Sequence, residues 1–121
     1  MPQRDTLATI ASFGSGEALR KLLAKVAQFA DERSGCVRWT IDRLVTLASS
    51  STESGEAEAI VPALVEGSEV SIGFGSSLVA DVLKIAGKDA VTLSLKDSQT
   101  AGLFEIPKFP GFSYIIMPMR I

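Results

Sequence analysis

The sequence predicts a single α+β domain in which two helices pack on one face of a largely antiparallel sheet. Three observations predict this fold. The chain has 121 residues, which is enough to bury one hydrophobic core. Its apolar residues change twice from the alternation of a strand to the spacing of a helix. The tripeptide Phe-Gly-Ser marks both changes, at residues 13–15 and again at residues 74–76.

The first half of the chain is predicted to form one strand, one helix and three further strands. Residues 6–13 alternate as a strand, and Gly14-Ser15-Gly16 turns into a helix from Glu17 to Ala30. These glycines do not have the spacing of a phosphate-binding or dinucleotide-binding loop, so a strand-to-helix turn explains them better. The apolar stripe of the helix consists of Leu19, Leu22, Leu23, Val26 and Ala30. The later strands are predicted at 36–41, 44–49 and 56–63.

The second half repeats this order. Residues 68–74 form the strand, and Gly75-Ser76 turns into a helix from Ser77 to Ala86. The predicted core face of this helix consists of Leu78, Val82, Ile85 and Ala86. Strands follow at 90–96, 101–106 and 112–119. The order βαβββ therefore occurs twice, and we predict pseudo-repeats at about 5–63 and 67–121 within one domain spanning 1–121.

The composition excludes several classes of function. Apolar residues make up 46% of the chain and charged residues 21%, which is typical of a globular protein. No apolar run is long enough to cross a membrane, and we expect no signal peptide because no apolar segment follows residues 1–4. A single cysteine, Cys36, favours a reducing compartment such as the cytoplasm. Histidine is absent, which removes the commonest general base and metal ligand, and the carboxylates are scattered. We therefore expect a binding protein without catalytic residues, cofactor or metal.

Basic residues concentrate on the two predicted helices. Residues 16–30 carry three basic side chains and one acidic one, and residues 76–88 carry two and one, although the whole chain has a net charge of −2. Any helix can have a solvated, charged face. Two positive helices on an acidic protein nevertheless favour a surface that lies near phosphate groups without holding them tightly.

The chain closes with an unusually apolar segment, YIIMPMRI, at residues 114–121. Side chains alternate along a strand. One row then contains Tyr114 and Ile116, and the other contains Ile115, Met117 and Met119. Only one row can face the core, so a neighbouring element, another subunit or a ligand must cover the other. Methionine suits a surface that accepts varied apolar partners.

This segment resembles the C-terminal end of the bacterial sliding clamp, the β subunit of the replicative DNA polymerase III. That family typically ends in Tyr-x-x-Met-Pro-Met-Arg-Leu, and Ile121 is a conservative departure. Upstream, SEVSIGF, DVLKIAG and VTLSLKD within residues 67–97 are similar to the second half of the clamp's third domain. Residues 17–48 resemble its first half more loosely.

The resemblance implies a DNA-clamp-like domain whose helices line a closed ring around duplex DNA, without sequence specificity. It also implies partners, namely DNA polymerase and other replication and repair proteins, that insert a clamp-binding peptide into an apolar pocket beside the tail. By matching position, the pocket residues would be Ile115, Met117, Met119, Gly75, Leu78, Gln99 and Ala101. The residues facing DNA would be Arg20, Lys21, Lys25, Lys84 and Lys88. Gly75 and Leu78 depart from the asparagine and tyrosine often found in the family.

The family's clamp has three such domains, whereas this chain has the length of one. One alternative is a homo-oligomeric ring, which six copies would close by head-to-tail contacts. The other is an excised domain, or a monomeric peptide-binding module or regulator, that competes for clamp partners without encircling DNA. Residues 44–49 carry apolar side chains on both faces. We expect one of these rows, Val45 and Leu47, to be exposed and to contact a neighbouring molecule of the ring.

Overall fold

The computed structural model describes residues 9–30, 35–51, 55–97 and 99–119. These residues form nine strands and two helices. In chain order they are β1 (Thr9–Phe13), α1 (Gly16–Ala27), β2 (Cys36–Ile41), β3 (Val45–Ser51), β4 (Gly55–Val61), β5 (Leu64–Gly67), β6 (Val70–Gly75), α2 (Ser76–Ala86), β7 (Val91–Leu95), β8 (Gly102–Glu105) and β9 (Ser113–Ile116). The predicted α+β class, with two helices on antiparallel strands, is confirmed.

The strands divide into two antiparallel sheets, which the sequence did not distinguish. Sheet A has the order β5-β1-β7-β8-β9, and sheet B has the order β4-β3-β2-β6. The chain crosses from sheet B to sheet A after β4 and returns after β5. The helices contact each other, α1 also contacts β2, β3 and β4, and α2 also contacts β6 and β9. The two helices thus form one layer across both sheets.

Both sheets contribute aromatic rings to one core. Trp39 of β2 is fully buried and meets three phenylalanine rings edge to face. Its ring centroid lies 6.0 Å from those of Phe13 and Phe74 and 6.4 Å from that of Phe104. Phe13 and Phe104 belong to sheet A, whereas Phe74 belongs to sheet B. This cluster therefore joins the inner faces of the two sheets.

Helix α1 begins one residue before the predicted start and ends three residues before the predicted end. The Ser15 hydroxyl oxygen accepts a hydrogen bond from the Ala18 amide at 3.2 Å. Of the predicted stripe, Leu22 is half-buried and the other four residues are buried.

The predicted core face of α2 is wrong in part. Leu78 and Ile85 are about half exposed, with exposures of 46% and 50%. The residues of α2 that are buried are Val79, Val82, Leu83 and Ala86. Apolar residues occupy most of the circumference of α2, so helical period alone permits more than one face, and packing against α1 and β6 selects one.

Two predictions about the strands also fail. Val45 and Leu47 are fully buried, because β3 pairs Leu47 with Trp39 and so turns this row to the core. They cannot form the exposed contact row that the sequence suggested. The strand β5 was missed, since its four residues follow a proline and pair with β1, about fifty residues earlier. Strand pairing at such a separation leaves little local signal.

Some predictions lie outside the described residues. They concern the start of the first strand at residues 6–8 and the last two residues, Arg120 and Ile121. The last strand is otherwise shorter than the predicted 112–119 and ends at Ile116.

The pairing of strands is the same in the two sheets, although the repeats at 5–63 and 67–121 stay a prediction. In sheet A the partners Phe13↔Val91 and Ala11↔Leu93 join β1 and β7. In sheet B the partners Phe74↔Val37 and Ile72↔Trp39 join β6 and β2. Extending this match across each sheet relates β1-β7-β8-β9 to β6-β2-β3-β4. We call residues related in this way corresponding residues.

The first residue of each helix also forms a backbone hydrogen bond with the segment that follows the other helix. The Gly16 amide at the start of α1 donates to the Asp89 carbonyl, which follows α2, at 2.9 Å. The Ser76 amide at the start of α2 donates to the Gly35 carbonyl, which follows α1, at 2.9 Å. Each helix start is therefore held by the segment that follows the other helix.

Candidate functional site

The segment after β8 exposes one row of apolar side chains. Ile115 and Met117 are 65% and 66% exposed, whereas Ile116 between them is buried. The alternation expected from the sequence is therefore present. Leu103 of β8 pairs with Ile115, so its half-buried side chain lies on the same outer face of sheet A. Sequence reasoning missed Leu103, although its alternation with the buried Phe104 could have indicated it.

The tail then crosses from sheet A to sheet B. Pro118 has no amide hydrogen and ends the pairing with β8. The Met119 amide donates to the Gly73 carbonyl of β6 at 2.7 Å, which forms an isolated antiparallel bridge. This bridge brings Met119 to the point where β6 passes into α2.

Three of the predicted pocket residues meet at this point. A Cβ atom placed on Gly75 would lie 3.4 Å from the Met119 sulfur and 3.8 Å from Leu78 Cδ1. Met119 and Leu78 therefore both lie within van der Waals distance of position 75. Met119, Leu78 and Gly75 thus form a continuous apolar surface at the amino end of α2.

The loop between β7 and β8 supplies the remaining two predicted residues. Ala101 precedes Gly102, which pairs with Ile116, so it lies beside Met117 at the end of the ladder. Gln99 is exposed two residues earlier. Asp97 shapes this loop, because its Oδ1 accepts hydrogen bonds from the Gln99 and Thr100 amides at 2.8 Å and 2.9 Å. The bond from Gln99 is the main reason that the pKa of Asp97 is lowered.

The predicted DNA-facing residues lie on or directly after the two helices. Lys21, Lys25, Lys84 and Lys88 are exposed, and Arg20 is half-buried. Lys21 Nζ lies 3.5 Å from Glu17 Oε1 on the same helix, an exposed pair of small energetic weight. Because α1 and α2 pack together, the basic side chains belong to one layer of the molecule.

Two other kinds of site are missing from the part of the chain that the structure describes. No group of three or more histidine, cysteine, aspartate or glutamate side chains there could hold a metal ion. No helix there has the length and apolar character needed to span a bilayer.

Comparison with known proteins gives one consistent result. The family model described as DNA polymerase III beta subunit, C-terminal domain, matches residues 4–120. The chain is 31% identical over 109 residues to the beta sliding clamp of Haemophilus influenzae. This match covers 89% of the chain but 30% of the relative, so the chain spans about a third of the length of the curated relatives it matches.

Solved structures agree. The DNA polymerase sliding clamp of Pseudomonas aeruginosa matches all of the chain and 33% of its own length, with a TM-score of 0.89 and 26% identity. The DNA polymerase III beta subunit of Thermotoga maritima matches with a TM-score of 0.89 and 28% identity, over all of the chain and 32% of its own length.

Proposed function

The chain belongs to the family formed by the C-terminal domain of the DNA polymerase III β subunit, and we propose that it acts as a sliding-clamp domain. In this role it binds short peptide motifs of replication and repair proteins at the tail, and it forms part of an oligomeric ring around duplex DNA. The role is one of binding rather than catalysis. The observation that carries the proposal is the exposed apolar row beside the meeting point of Met119, Gly75 and Leu78.

The tail geometry supports peptide binding in a specific way. Ile115 and Met117 expose apolar surface that can be buried by a ligand, and Met119 is held in place through its backbone bridge to Gly73. Burying such side chains contributes roughly 25 cal/mol per Å² of apolar area. A held backbone with adaptable methionine side chains suits peptides that share apolar character but differ in sequence.

The peptide site can be tested with the double variant Met117→Ala/Met119→Ala. Fluorescence anisotropy with a peptide carrying a clamp-binding motif should show affinity weakened by about thirtyfold or more, because truncated anchors of this kind cost roughly 1–2 kcal/mol each. Ile60→Ala is a control for loss of exposed apolar surface away from the tail, since Ile60 is exposed on β4 at the place that corresponds to Ile115. Unchanged affinity in a folded double variant would remove the site from the tail.

The proposal that the domain lies close to DNA is supported by the basic side chains on the two helices. Replacing Lys21, Lys25, Lys84 and Lys88 by glutamate should abolish salt-dependent association with duplex DNA, since phosphate contacts dominate such binding. Replacing Lys96 and Lys108, which lie outside the helices, should have little effect. Preference of the wild type for one duplex sequence would argue for another kind of DNA-binding protein.

The ring is tested separately from both binding sites. Multi-angle light scattering over a concentration series should show a mass of several chains if copies of this chain close a ring. A mass that stays at one chain would favour a monomeric module that competes for clamp partners, and peptide binding at the tail would then remain as its activity.

A further inference from the structure

The loop between β8 and β9 carries an exposed aromatic side chain that the tail site does not use. Phe109 is 43% exposed and takes part in none of the ring contacts found among the described residues. Phe112, three residues later, packs against the core instead. Phe109 therefore contributes its ring to the surface of the molecule.

The backbone of this loop holds Phe109 in a defined position. The Phe109 amide donates to the Ile106 carbonyl at 2.8 Å, and the Phe112 amide donates to the Phe109 carbonyl at 3.0 Å. Pro107 and Pro110 restrict the loop further, because the proline ring fixes φ. A binding partner would meet a ring whose backbone is already ordered, which lowers the entropic cost of binding.

An ion pair places this loop at one end of the layer that the two helices form. Lys108 Nζ lies 3.6 Å from Asp89 Oδ2. The Asp89 carbonyl in turn accepts the hydrogen bond from the Gly16 amide at the start of α1, and α2 ends at Ala86, three residues earlier in the chain. Phe109 therefore lies at the end of the helix layer where α1 begins and α2 ends.

The helix layer is positively charged at this end. Lys108 offsets the charge of Asp89, and the carboxylate of Glu17 lies 3.5 Å from Lys21 Nζ. Three basic side chains here form no ion pair within the described residues, namely Arg20, Lys84 and Lys88. A negatively charged partner is therefore complementary to this end of the layer.

Two other carboxylates do not reverse this balance. Asp81 lies nearly one turn before Lys84 on α2 and offsets one basic side chain. Glu105 lies between the buried residues Phe104 and Ile106, so its side chain is on the outer face of sheet A, away from the helices.

An exposed aromatic ring beside basic side chains is the combination that binds single-stranded nucleic acid. Bases of any sequence stack on aromatic rings, while lysine and arginine contact the phosphates. A base inside a duplex is already stacked, so the ring can reach only a base that is unpaired. A protein partner fits less well, because one partly exposed ring offers far less area than the roughly 800 Å² that each side of a stable protein interface buries.

We propose that Phe109 is a stacking contact for an unpaired base, at the point where a single strand of DNA leaves a duplex that lies along α1 and α2. This inference rests on the proposed position of DNA beside the helices. It adds a contact for single strands to a layer whose lysine and arginine side chains otherwise meet phosphates.

The first test uses the full chain at low ionic strength and the variant Phe109→Trp, whose fluorescence reports stacking directly. The chain has one other tryptophan, Trp39, which is fully buried. A short oligothymidylate should quench the fluorescence of Phe109→Trp and leave that of the wild type unchanged.

Ile60→Trp is the matched control, because Ile60 is exposed on β4 beside the acidic Glu58 and should show no quenching. Equal quenching in the two tryptophan variants would overturn the proposal. So would a lack of quenching in Phe109→Trp, which would favour a contact with another protein at this loop.

A second test separates this inference from the proposed function. By anisotropy, a duplex with a single-stranded extension should bind about tenfold more tightly than the blunt duplex, as expected for one stacked base. Phe109→Ala should remove this difference and leave binding of the blunt duplex unchanged. A difference that persists in Phe109→Ala would contradict the stacking contact.

The tail variant provides the remaining control. Met117→Ala/Met119→Ala should keep the preference for the extended duplex, and its loss there would assign the single strand to the tail and make the proposal wrong. If the wild type does not bind the blunt duplex, the proposed DNA surface of the helices fails, while quenching of Phe109→Trp by oligothymidylate still decides the stacking contact.

Discussion

The two halves of the molecule share their strand pairing but differ at the edge where each one ends. After β4 the chain continues into β5, which pairs with β1 over four residues. After β9 the corresponding segment makes one described bridge, between Met119 and Gly73. The same backbone path therefore yields a paired strand in one half and a side-chain cluster over Gly75 in the other.

The outer faces differ as well. Next to the exposed isoleucine of each edge strand, sheet B presents Thr46 and sheet A presents Leu103. Most inward-facing residues are apolar in both halves, because they share one core, and the buried polar residues Thr9 and Ser49 are exceptions. The residues that face the core therefore fix the register of strand pairing, while the residues on the outer faces are free to differ in their binding properties.

The largest expected effect comes from making one inward position the same in both halves. Gly102 corresponds to Val45, and a Cβ atom on Gly102 would lie 2.6 Å from Phe74 Cζ and 3.1 Å from Leu93 Cδ1. Gly102→Val should therefore destabilise the fold by about 3 kcal/mol through overpacking, as measured by urea unfolding.

Val45→Ala shortens the side chain at the corresponding position of the first half. It should cost about 2 kcal/mol for a different reason, the lost volume of a buried side chain. An unfolding midpoint for Gly102→Val equal to that of the wild type would show that the two positions are interchangeable.

The helix contact provides the next largest difference. Gly16 of α1 corresponds to Ser77 of α2, but a Cβ atom on Gly16 would lie 2.9 Å from Ala86 Cβ, whereas Ser77 is exposed. Gly16→Ala should destabilise by about 1.5 kcal/mol despite the better helix propensity of alanine. Ser77→Ala should change stability by less than about 0.5 kcal/mol. Equal thermal midpoints of the two variants would contradict the close approach of the helices.

Capping gives a smaller difference. Ser15 and Ser76 occupy corresponding positions, yet the Ser15 side chain caps α1 while α2 has no side-chain cap. Ser15→Ala should cost about 1 kcal/mol. Ser76→Ala should stay within about 0.5 kcal/mol. The free energies of unfolding of the two variants are compared by urea denaturation. A larger loss for Ser76→Ala than for Ser15→Ala would contradict this difference in capping.

The smallest expected effect concerns the turn between β7 and β8, which is longer than the corresponding turn between β2 and β3. The pKa of Asp97 is lowered by its backbone hydrogen bonds. The ionised carboxylate therefore supports the loop above the ordinary aspartate pKa of about 3.9, and this support is lost as pH falls through the lower folded value. Amide shifts of Gln99 and Thr100 should move in that acidic range and stay constant between about pH 5 and pH 7. Asp97→Asn should remove this pH response, and its persistence in the variant would assign it to another group.

Part of the candidate site was accessible from the sequence. The alternation of Ile115, Ile116 and Met117 follows from the two-residue period of a strand, and the structure shows the same alternation. The meeting of Met119 with Gly75 and Leu78 was expected only through resemblance, since no local pattern links residues so far apart. Leu103 was missed, because its place beside Ile115 depends on the register of β8 and β9.

By itself the sequence determined the α+β class, the order of most elements, the start of α1 to within one residue and the family. These follow from local periodicity, turn residues and a specific terminal motif. Tertiary structure alone decided the division into two sheets, the buried face of α2, the inward direction of Val45 and Leu47, and the existence of β5. The physical reason is shared by all four. Each depends on which distant strand or helix covers an apolar row, and apolar rows that could face either way are resolved only by packing.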